Sequence, residues 1–391
     1  MRQIQRLPWL VLVAAIVAWS VQATGQTPAA RTITVFQGAR VIVGDGRTIE
    51  NAVFIVDNGR FGGVGTAAQV QVPQGATRVD LAGKVVMPAI IDTHTHLSRT
   101  REMLVADLRA RAYYGVSAAM SLGQDPGDLP FQIRTESETM AGAARYRTAG
   151  RGITMPEPGR TDLPYWVSTE AESRKAVQEL AAKKVDIVKI WVDDRDGMYK
   201  KMPPEIYGPI IDEAHKNGLR VTAHIFNLSD AKGLLRANID AFAHGVRDVD
   251  VDDEFVAMIR QRRNVVVVPN LPARQGATAQ AYALQARNLA RLAKEGVTIA
   301  VGTDGNTPAG PHQEMDDMVA AGMTPAQVLV AATKNGADFL RIDAGTIAQG
   351  KSADFILLDA DPVTDIKNTT KINAVYLRGT VVNRAAPPAT Q

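Results

Sequence analysis

The sequence predicts an α/β protein in which an eight-stranded (β/α)₈ barrel carries a small β-sandwich domain assembled from both ends of the chain. In the middle of the chain, short apolar segments alternate with amphipathic helical segments. Eight such units over about 250 residues match the size of a (β/α)₈ barrel. Towards both ends, short alternating runs are separated by Gly-rich turns, which is typical of antiparallel strands. We therefore expect residues 31–88 and 347–385 to form the sandwich and residues 89–346 to form the barrel.

Residues 1–23 have the pattern of an export signal peptide. Arg2 and Arg6 precede an apolar run from Leu7 to Val21, and small residues follow at the expected cleavage point. An uncleaved membrane anchor is the alternative, because the apolar run is fairly long. We expect cleavage, and therefore a periplasmic or secreted protein without stable membrane association.

The composition is that of an ordinary folded protein. Of the 391 residues, 46% are hydrophobic and 22% are charged, and the formal net charge is only +3. Because no run of Lys and Arg is present to bind a phosphate backbone, we expect no nucleic-acid partner. The chain has no cysteine, which excludes disulfides and a thiol nucleophile. A small-molecule substrate and a homo-oligomer are compatible with this composition.

The strands can be placed from hydrophobic patterning. Alternating runs indicate sandwich strands at Thr32–Val43, Ala52–Phe61, Thr77–Val86, Ala353–Asp359 and Ala374–Val382. The eight barrel strands are expected to begin near Ile90, Val116, Tyr146, Asp186, Leu219, Asp240, Asn264 and Val297. Among the helices between and after them, one starts at Thr324-Pro325 and is expected to end near Gly336. A doubly wound open sheet is the alternative fold, but it would need a Gly-rich ligand-binding turn where this chain has a histidine pair.

The six histidines are the most informative residues, because five of them lie at or just after a predicted strand. His94 and His96 are two residues apart in one strand, so both side chains face the barrel interior. His224 and His244 end two later strands, at the rim where barrel enzymes place their reactive groups. Each histidine alone fits a hydrogen-bonded structural role. Four of them on three strand ends favour a site for a divalent metal ion.

Two further residues suit such a metal site. Lys189 lies inside an apolar strand, where burial lowers the pKa of the amine and allows it to react with CO₂ to form a carbamate. The alternative is a buried lysine that pairs with Asp186, Asp193 or Asp194. Asp304 ends the eighth strand and is a candidate metal ligand and proton acceptor, although Asp-Gly-Asn is also a plain turn signal.

Several residues near the predicted strand ends are candidates for contact with a substrate. Tyr114, Arg151 and Arg247 are possible anchors for a substrate carboxylate. His312 and Glu314 lie in the loop after the eighth strand, where they could order a lid or support a metal ligand. We also include His312 among the predicted substrate contacts.

These residues lie in motifs that resemble the amidohydrolase superfamily, in the subgroup of imidazolonepropionase-related amidohydrolases and bacterial metallo-dipeptidases. The motifs are Pro88-Ala89-Ile90-Ile91-Asp92-Thr93-His94-Thr95-His96, Val188-Lys189-Ile190-Trp191-Val192-Asp193-Asp194, Ala223-His224, Ala243-His244-Gly245, Gly302-Thr303-Asp304 and Gly350-Lys351-Ser352-Ala353-Asp354. The resemblance covers nearly everything after the export signal. The terminal β segments resemble the small sandwich that family members attach to the barrel.

The resemblance implies a binuclear centre with two divalent metal ions, for which Zn²⁺ is the expected identity. The implied ligands are His94, His96 and Asp304 for the more buried metal, His224 and His244 for the outer metal, and Lys189, as a CO₂-derived carbamate, bridging both. The same set of ligands accepts several ions, so the sequence leaves the identity of the metal open.

Two features bear on which member of the family the chain resembles. Dipeptidase-like members often carry a histidine in the loop after the third strand, whereas residues 150–159 contain none. The missing histidine argues against a peptidase that depends on a histidine in this loop. Strict imidazolonepropionases resemble single-metal enzymes without the bridging lysine. Lys189 therefore argues against imidazolonepropionase activity.

The expected activity is hydrolysis of a carbon–nitrogen bond, amide or peptide-like, in a small molecule such as an N-acyl amino acid or a dipeptide. Metal-activated hydroxide would attack the carbonyl carbon, and Asp304 would shuttle the proton to the leaving amine. A lactonase or a phosphotriesterase-like hydrolase could use the same metal cluster. A non-catalytic metal-binding scaffold or a periplasmic solute-binding protein is the alternative of a different class, but the complete set of ligands favours an enzyme.

Overall fold

The structure, a computed structural model, describes residues 33–386. The predicted export signal at residues 1–23 lies outside the described residues, as do residues 31 and 32 of the predicted sandwich. Both therefore remain predictions. Among the helices that are described, none is long and apolar enough to cross a membrane.

Strands and helices alternate over most of the described chain. The strands are β1 (Thr34–Ile42), β2 (Thr48–Asp57), β3 (Arg60–Thr66), β4 (Thr77–Asp80), β5 (Val85–Pro88), β6 (Ile90–Thr95), β7 (Val116–Ser121), β8 (Arg145–Thr148), β9 (Ile153–Thr154), β10 (Tyr165–Trp166), β11 (Val188–Trp191), β12 (Val221–His224), β13 (Ala241–Ala243), β14 (Val266–Val268), β15 (Thr298–Ile299), β16 (Phe355–Leu358), β17 (Ile372–Leu377) and β18 (Thr380–Val381). The α-helices are α1 (Arg101–Tyr113), α2 (Leu129–Ser137), α3 (Glu170–Ala182), α4 (Pro204–Lys216), α5 (Leu228–Arg236), α6 (Asp253–Gln261), α7 (Ala279–Lys294), α8 (Gly310–Ala320), α9 (Pro325–Val330) and α10 (Gly336–Leu340). Short 3₁₀ segments lie at Gly276–Thr278 and Ile366–Thr370, and a π-helical segment lies at Ala331–Asn335.

A mixed sheet of eight strands joins the two ends of the described chain. Its order is β18-β17-β16-β5-β1-β2-β3, and β4 pairs with β1. The N-terminal and C-terminal parts meet where β5 pairs antiparallel with β16 and Phe355 lies opposite Pro88. In the core of the sheet, Phe36 stacks on Phe54 with ring centroids 4.9 Å apart, and Phe355 stacks on Tyr376 at 4.5 Å. Across the junction, the ring of Phe355 packs edge-on against those of Phe36 and Phe54, with centroids 5.4 and 5.3 Å apart. Aromatic burial therefore stabilises the pairing of the two chain ends, in addition to the backbone hydrogen bonds.

The remaining strands form two parallel sheets, with the orders β6-β7-β8 and β10-β9-β11-β12-β13-β14-β15. Each of the eight predicted barrel strands begins within two residues of an observed strand start, and the predicted α/β class is confirmed. Strands such as β7 are buried along their whole length, as expected for parallel strands that are covered on both faces. The sequence patterns do not predict β9 and β10, which are only two residues long and follow β8.

Hydrogen bonds connect the two parallel sheets at two places. The amide of Thr93 in β6 donates to the carbonyl of Val301, just after β15, over 2.9 Å. The amide of Asp186, two residues before β11, donates to the carbonyl of Thr148 in β8 over 3.0 Å. The bridge between β6 and the segment after β15 is parallel. The carboxyl ends of the strands on both sides of this junction therefore lie at the same rim.

The helix that begins at Thr324-Pro325 extends further than the sequence predicts. Thr324 and Gln327 form a capping box at the start of α9, as the sequence signal suggests. Helical structure then continues through the π-helical segment into α10, so the expected end at Gly336 is wrong. A Cβ atom at position 336 would lie 2.9 Å from Cβ of Ile91 in β6. This glycine permits close packing of the helix on the strand and does not end the helix.

Candidate metal centre

Strand β6 presents both histidines of the His-x-His motif. His94 lies in the strand and is fully buried, whereas His96 directly follows it and is partly exposed. Nε2 of His94 lies 3.1 Å from Oδ1 of Asp304, and Nε2 of His96 lies 3.0 Å from the same oxygen. The spacing of two residues along the strand thus directs both imidazoles towards one carboxylate.

Asp304 is held against β6 by the backbone of the loop that follows β15. Its amide donates to the carbonyl of His94 over 2.7 Å, and the amide of Thr303 donates to the same carbonyl over 2.9 Å. The φ angle of Asp304 is 52°, in the left-handed region that aspartate enters more readily than most residues. The buried carboxylate of Asp92 accepts hydrogen bonds from the amide and the hydroxyl of Thr303, over 3.1 and 2.9 Å. These contacts place the side chain of Asp304 beside the two histidines.

The ends of β12 and β13 add two more imidazoles. His224 is the last residue of β12, and His244 directly follows β13. Their ring centroids are 4.5 Å apart, and the ring of His244 is 5.2 Å from that of His94. Nε2 of His244 lies 3.7 Å from Oδ2 of Asp304. The four histidines singled out in the sequence therefore form one group of neighbouring rings.

Lys189 reaches the same region from β11. Its side chain is fully buried, and within residues 33–386 its Nζ makes no hydrogen bond. Burial disfavours the cation and lowers the pKa of Lys189 to about 7, although the negative charge of Asp304 opposes this shift. The alternative pairing with Asp186, Asp193 or Asp194 is absent from the described residues, because each of these carboxylates has other partners.

These donors suit a divalent cation. One ligand atom from each of His94, His244 and Asp304 can be chosen so that all three lie within 4.8 Å of one another. In the part of the chain that the structure describes, the buried Nε2 of His94, Nδ1 of His244 and Nζ of Lys189 have no partner with hydrogen-bond geometry. Buried polar atoms normally have a partner, so these atoms are available as ligands. Imidazole nitrogens together with carboxylate oxygens are donors that zinc accepts.

The imidazoles are in the protonation state that a metal ligand requires. Burial lowers the pKa of His94 to about 3, and the charge of Lys189 adds to this shift. Burial also lowers the pKa of His224 to about 4, against the opposing hydrogen bond to Asp193. The pKa of His244 lies well below its usual value for the same main reason. Each of these rings is therefore neutral at neutral pH and keeps a lone pair for a cation.

Asn270 orients His94, and none of the sequence motifs includes it. Its Oδ1 lies 3.0 Å from Nδ1 of His94. Because an amide oxygen only accepts, this hydrogen bond places the proton on Nδ1 and leaves the lone pair of Nε2 directed towards Asp304. Glu314 of α8, which the sequence suggests as a support for a ligand, is buried and accepts the amide of Leu271, next to Asn270. The position of His94 thus depends on a second set of contacts behind it.

Asp193 has the corresponding role for His224; it belongs to one of the motifs, but the motif does not predict this contact. Its Oδ2 lies 3.0 Å from Nε2 of His224 and accepts Nη1 of Arg195 over 2.6 Å. Nε of Arg195 donates over 3.2 Å to Glu157, which is only 1% exposed. Glu157 belongs to residues 150–159, the segment after β8 that contains β9 and has no histidine. A chain of charged contacts therefore connects this loop to a histidine of the centre.

Among the four predicted substrate contacts, Arg247 lies next to the centre. It follows β13, and its amide donates to the carbonyl of Phe226 over 2.8 Å. Burial lowers the pKa of Arg247, whereas the charges of Asp304 and Asp193 oppose this shift. Its buried Nε has no hydrogen-bond partner among residues 33–386. The guanidinium therefore keeps a donor for an anionic group.

The structure assigns different partners to the other three predicted substrate contacts. Nε of Arg151 donates to the carbonyl of Leu163 over 2.6 Å, so the guanidinium holds the segment between β9 and β10. Both ring nitrogens of His312 are engaged, with Thr369 at 3.0 Å and with the carbonyl of Tyr114 at 2.9 Å. Tyr114 follows the C-terminal end of α1, and this contact ties α1 to α8. We therefore withdraw Arg151 and His312 as substrate contacts, because their side-chain polar groups serve these structural contacts. For Tyr114 only the backbone carbonyl takes part in these contacts, so its phenol stays a predicted substrate contact.

Comparison with known proteins identifies the family. The model of the amidohydrolase family matches residues 85–382, which is most of the chain. The chain therefore belongs to the amidohydrolase family, a family of hydrolases in which divalent metals are typical. This result confirms the resemblance seen in the motifs.

The similar proteins differ in the activities for which they are named. An ochratoxinase of Aspergillus niger is 23% identical over 411 aligned positions, which cover 86% of this chain and 83% of the relative. An imidazolonepropionase of Deinococcus radiodurans is 26% identical and covers 86% of this chain and 93% of its own. The crystal structure of a Xaa-Pro dipeptidase with methionine bound in its active site has a TM-score of 0.77 at 20% identity, over 90% of this chain and 99% of that one. At this identity, the structural likeness shows a shared fold alone.

Proposed function

We propose that the protein is a metal-dependent hydrolase that cleaves a carbon–nitrogen bond, amide or peptide-like, in a small molecule such as an N-acyl amino acid or a dipeptide. The observation that carries this proposal is the convergence of His94, His244 and Asp304, whose ligand atoms lie within 4.8 Å of one another. Membership of the amidohydrolase family supports hydrolysis as the reaction. The name of one structural relative, a Xaa-Pro dipeptidase, supports a peptide-like bond.

The proposal includes a closed (β/α)₈ barrel made of the two parallel sheets, with the mixed sheet as the composite sandwich. The hydrogen bonds from Thr93 to Val301 and from Asp186 to Thr148 connect the two sheets at two places and support closure. In such barrels the reactive groups lie at the carboxyl ends of the strands. His94 is the second-last residue of β6, and His224 is the last residue of β12. His96 and His244 directly follow their strands, so all four positions agree with this arrangement.

The side chains of the centre fit two divalent cations, with Zn²⁺ the expected ion. The proposed ligands are His94, His96 and Asp304 for the more buried cation, His224 and His244 for the outer cation, and carbamylated Lys189 between them. The pKa of Lys189, lowered to about 7 by burial, supports a neutral amine. Its nitrogen would add to CO₂ and release one proton, which leaves an anionic carbamate. When bound, divalent cations lower the pKa of water and stabilise negative charge on a carbonyl oxygen.

Asp304 is the proposed carrier of the transferred proton. Its side chain contacts His94 and His96, yet it is 37% exposed and so is accessible to a substrate. It would accept a proton from the attacking water and return it to the leaving amine. Arg247, with its free Nε, would bind a carboxylate of the substrate through a charge-assisted hydrogen bond.

Replacing Asp304 by asparagine tests this assignment. We expect Asp304→Asn to lower turnover by about 10²–10⁴-fold, the usual contribution of a positioned acid or base, with metal content largely retained. Asp253→Asn is the matched control, because the Asp253 side chain on α6 is 99% exposed. Turnover is measured on N-acyl amino acids, dipeptides, cyclic amides, lactones and phosphotriesters. Near-normal hydrolysis by D304N would contradict the role of Asp304, and turnover of lactones or phosphotriesters alone would contradict the proposed bond type.

The proposal places the mature protein in the periplasm or outside the cell. It rests on the pattern of residues 1–23 alone. N-terminal sequencing of the protein from its native host is expected to find a chain that begins after residue 23. A chain that retains Met1 would favour the uncleaved anchor instead.

A further inference from the structure

We infer that a second cavity binds a small oxyanion such as phosphate or a phosphate monoester. The cavity has a volume of about 380 Å³ and lies where the mixed sheet meets β8 and the segment after α10. It shares no residue with the candidate metal centre. Its lining contains two carboxylates and five arginines: Arg60, Arg145, Arg147, Arg341 and Arg378. Such an excess of guanidinium groups around one cavity favours an anion as the ligand.

Neighbouring carboxylates neutralise only part of this charge. Three arginines are paired at 2.5–2.6 Å: Arg145 with Asp354, Arg147 with Glu138 and Arg60 with Asp343. The other two, Arg341 and Arg378, form no ion pair within the described range 33–386. These two guanidinium groups are therefore the ones that an anion would neutralise.

Arg378 is held in place with one donor left over. It lies in the turn between β17 and β18, and its Nη2 donates to the carbonyls of Met140 and Ala143 over 2.6 and 3.0 Å. Its Nη1 is buried and has no partner in the described part of the chain. Burial lowers the pKa of Arg378, and the positive charge of Arg145 adds to this shift. A bound anion would satisfy the free donor and offset the repulsion between the two arginines.

Neutral donors line the same cavity. Oγ of Ser352 accepts Nη2 of Arg145 over 2.8 Å, so its own proton is free to donate to a ligand. Asn58 lies on the lining as well and adds an amide group. A tetrahedral oxyanion has enough acceptor oxygens for several donors that approach from different sides, whereas a carboxylate has two. The arrangement therefore favours phosphate over a monocarboxylate.

The test is isothermal titration of the metal-loaded protein with inorganic phosphate, and with acetate as the carboxylate arm. We expect Arg378→Gln and Arg341→Gln each to weaken phosphate binding by about tenfold or more, as for the loss of a charge-assisted hydrogen bond. Arg341 is exposed, so R341Q remains informative if R378Q does not fold. Arg109→Gln is the control, because Arg109 is exposed on α1 and does not line this cavity.

Phosphate that binds at the metal centre is recognised because it changes turnover. The two cavity variants should show the same effect of phosphate on turnover as wild type. The inference is supported if wild type and R109Q bind phosphate and the cavity variants bind it more weakly. It is overturned if wild type gives no heat of binding, or if the cavity variants bind phosphate as wild type does. Binding of acetate that is as strong as that of phosphate, and is lost in the same variants, would overturn phosphate as the ligand.

Discussion

Replacement of Asn270 by glycine should weaken metal binding without disturbing the local backbone. Asn270 has a φ of 48°, a left-handed conformation that glycine adopts without strain. The substitution therefore removes Oδ1 and leaves the path of the chain unchanged. Nδ1 of His94, now 3.0 Å from that oxygen, would lose its acceptor inside a fully buried environment.

The size of the effect follows from the buried hydrogen bond between Asn270 and His94. A buried donor without a partner costs about 1–3 kcal/mol. Loss of a residue that orients a metal ligand typically lowers metal affinity about 10–100-fold, and a 100-fold loss corresponds to about 2.7 kcal/mol. The two estimates agree, so we expect Asn270→Gly to bind Zn²⁺ about 10–100-fold more weakly than wild type. Asn270→Asp keeps both an acceptor and a residue that tolerates positive φ, and should retain most of the affinity.

Competition with a chromophoric chelator measures this affinity, and elemental analysis counts the bound metal. Asn51→Gly is a matched control, because Asn51 has a φ of 46° and is exposed in the mixed sheet. If N270G and N51G both bind Zn²⁺ as wild type does, Asn270 does not orient His94 and the reasoning is wrong. An equal loss of affinity in both variants would show a general effect of glycine and would equally refute it.

Three other substitutions test separate parts of the structure. Lys189→Met should reduce bound metal from two ions to one, as elemental analysis would show, and two ions in this variant would exclude a bridging role. Gly336→Ala should lower the free energy of unfolding by about 1–3 kcal/mol, because the new Cβ would lie 2.9 Å from Ile91. Gly208→Ala is the control, because the space around Gly208 is open. Equal stability of the two variants in denaturant would contradict the tight packing at Gly336. Arg247→Gln should raise KM about tenfold or more for a substrate with a free carboxylate, and a similar rise for its carboxamide analogue would rule out the carboxylate contact.

Much of the candidate centre is predictable from sequence because its proposed ligands occupy positions defined by strand geometry. The alternation of side chains along β6 places His94 and His96 on one face, and the parallel direction of the strands brings His224 and His244 to a common rim. Asp304 follows from the same rule, since it lies just after the eighth predicted strand. For these residues, local pattern and chain direction are sufficient information.

The residues that support the ligands do not follow such a rule. Asn270 reaches His94 across 176 positions of sequence, and a single asparagine after an apolar strand is no signal in itself. Asp193 lies four residues after Lys189 in the same motif, but only the fold shows that it faces His224. Arg151 also lies near a strand end, and its side chain turns towards the backbone of its own loop. Position along a strand therefore predicts which residues lie at the rim. The direction of a side chain in a loop depends on contacts that the sequence does not reveal.

The balance of charge in the centre also bears on the kind of substrate. Among the six proposed ligands, Asp304 is the one carboxylate, and the lowered pKa values of His94 and His224 leave those rings neutral. Two divalent cations carry more positive charge than one carboxylate neutralises, and Arg247 adds another positive charge nearby. Uncompensated charge is costly in a buried site, so an anionic carbamate on Lys189 would stabilise the loaded centre. A substrate with its own carboxylate would reduce the remaining excess, which favours N-acyl amino acids and dipeptides over neutral lactones or phosphotriesters in the proposed substrate comparison.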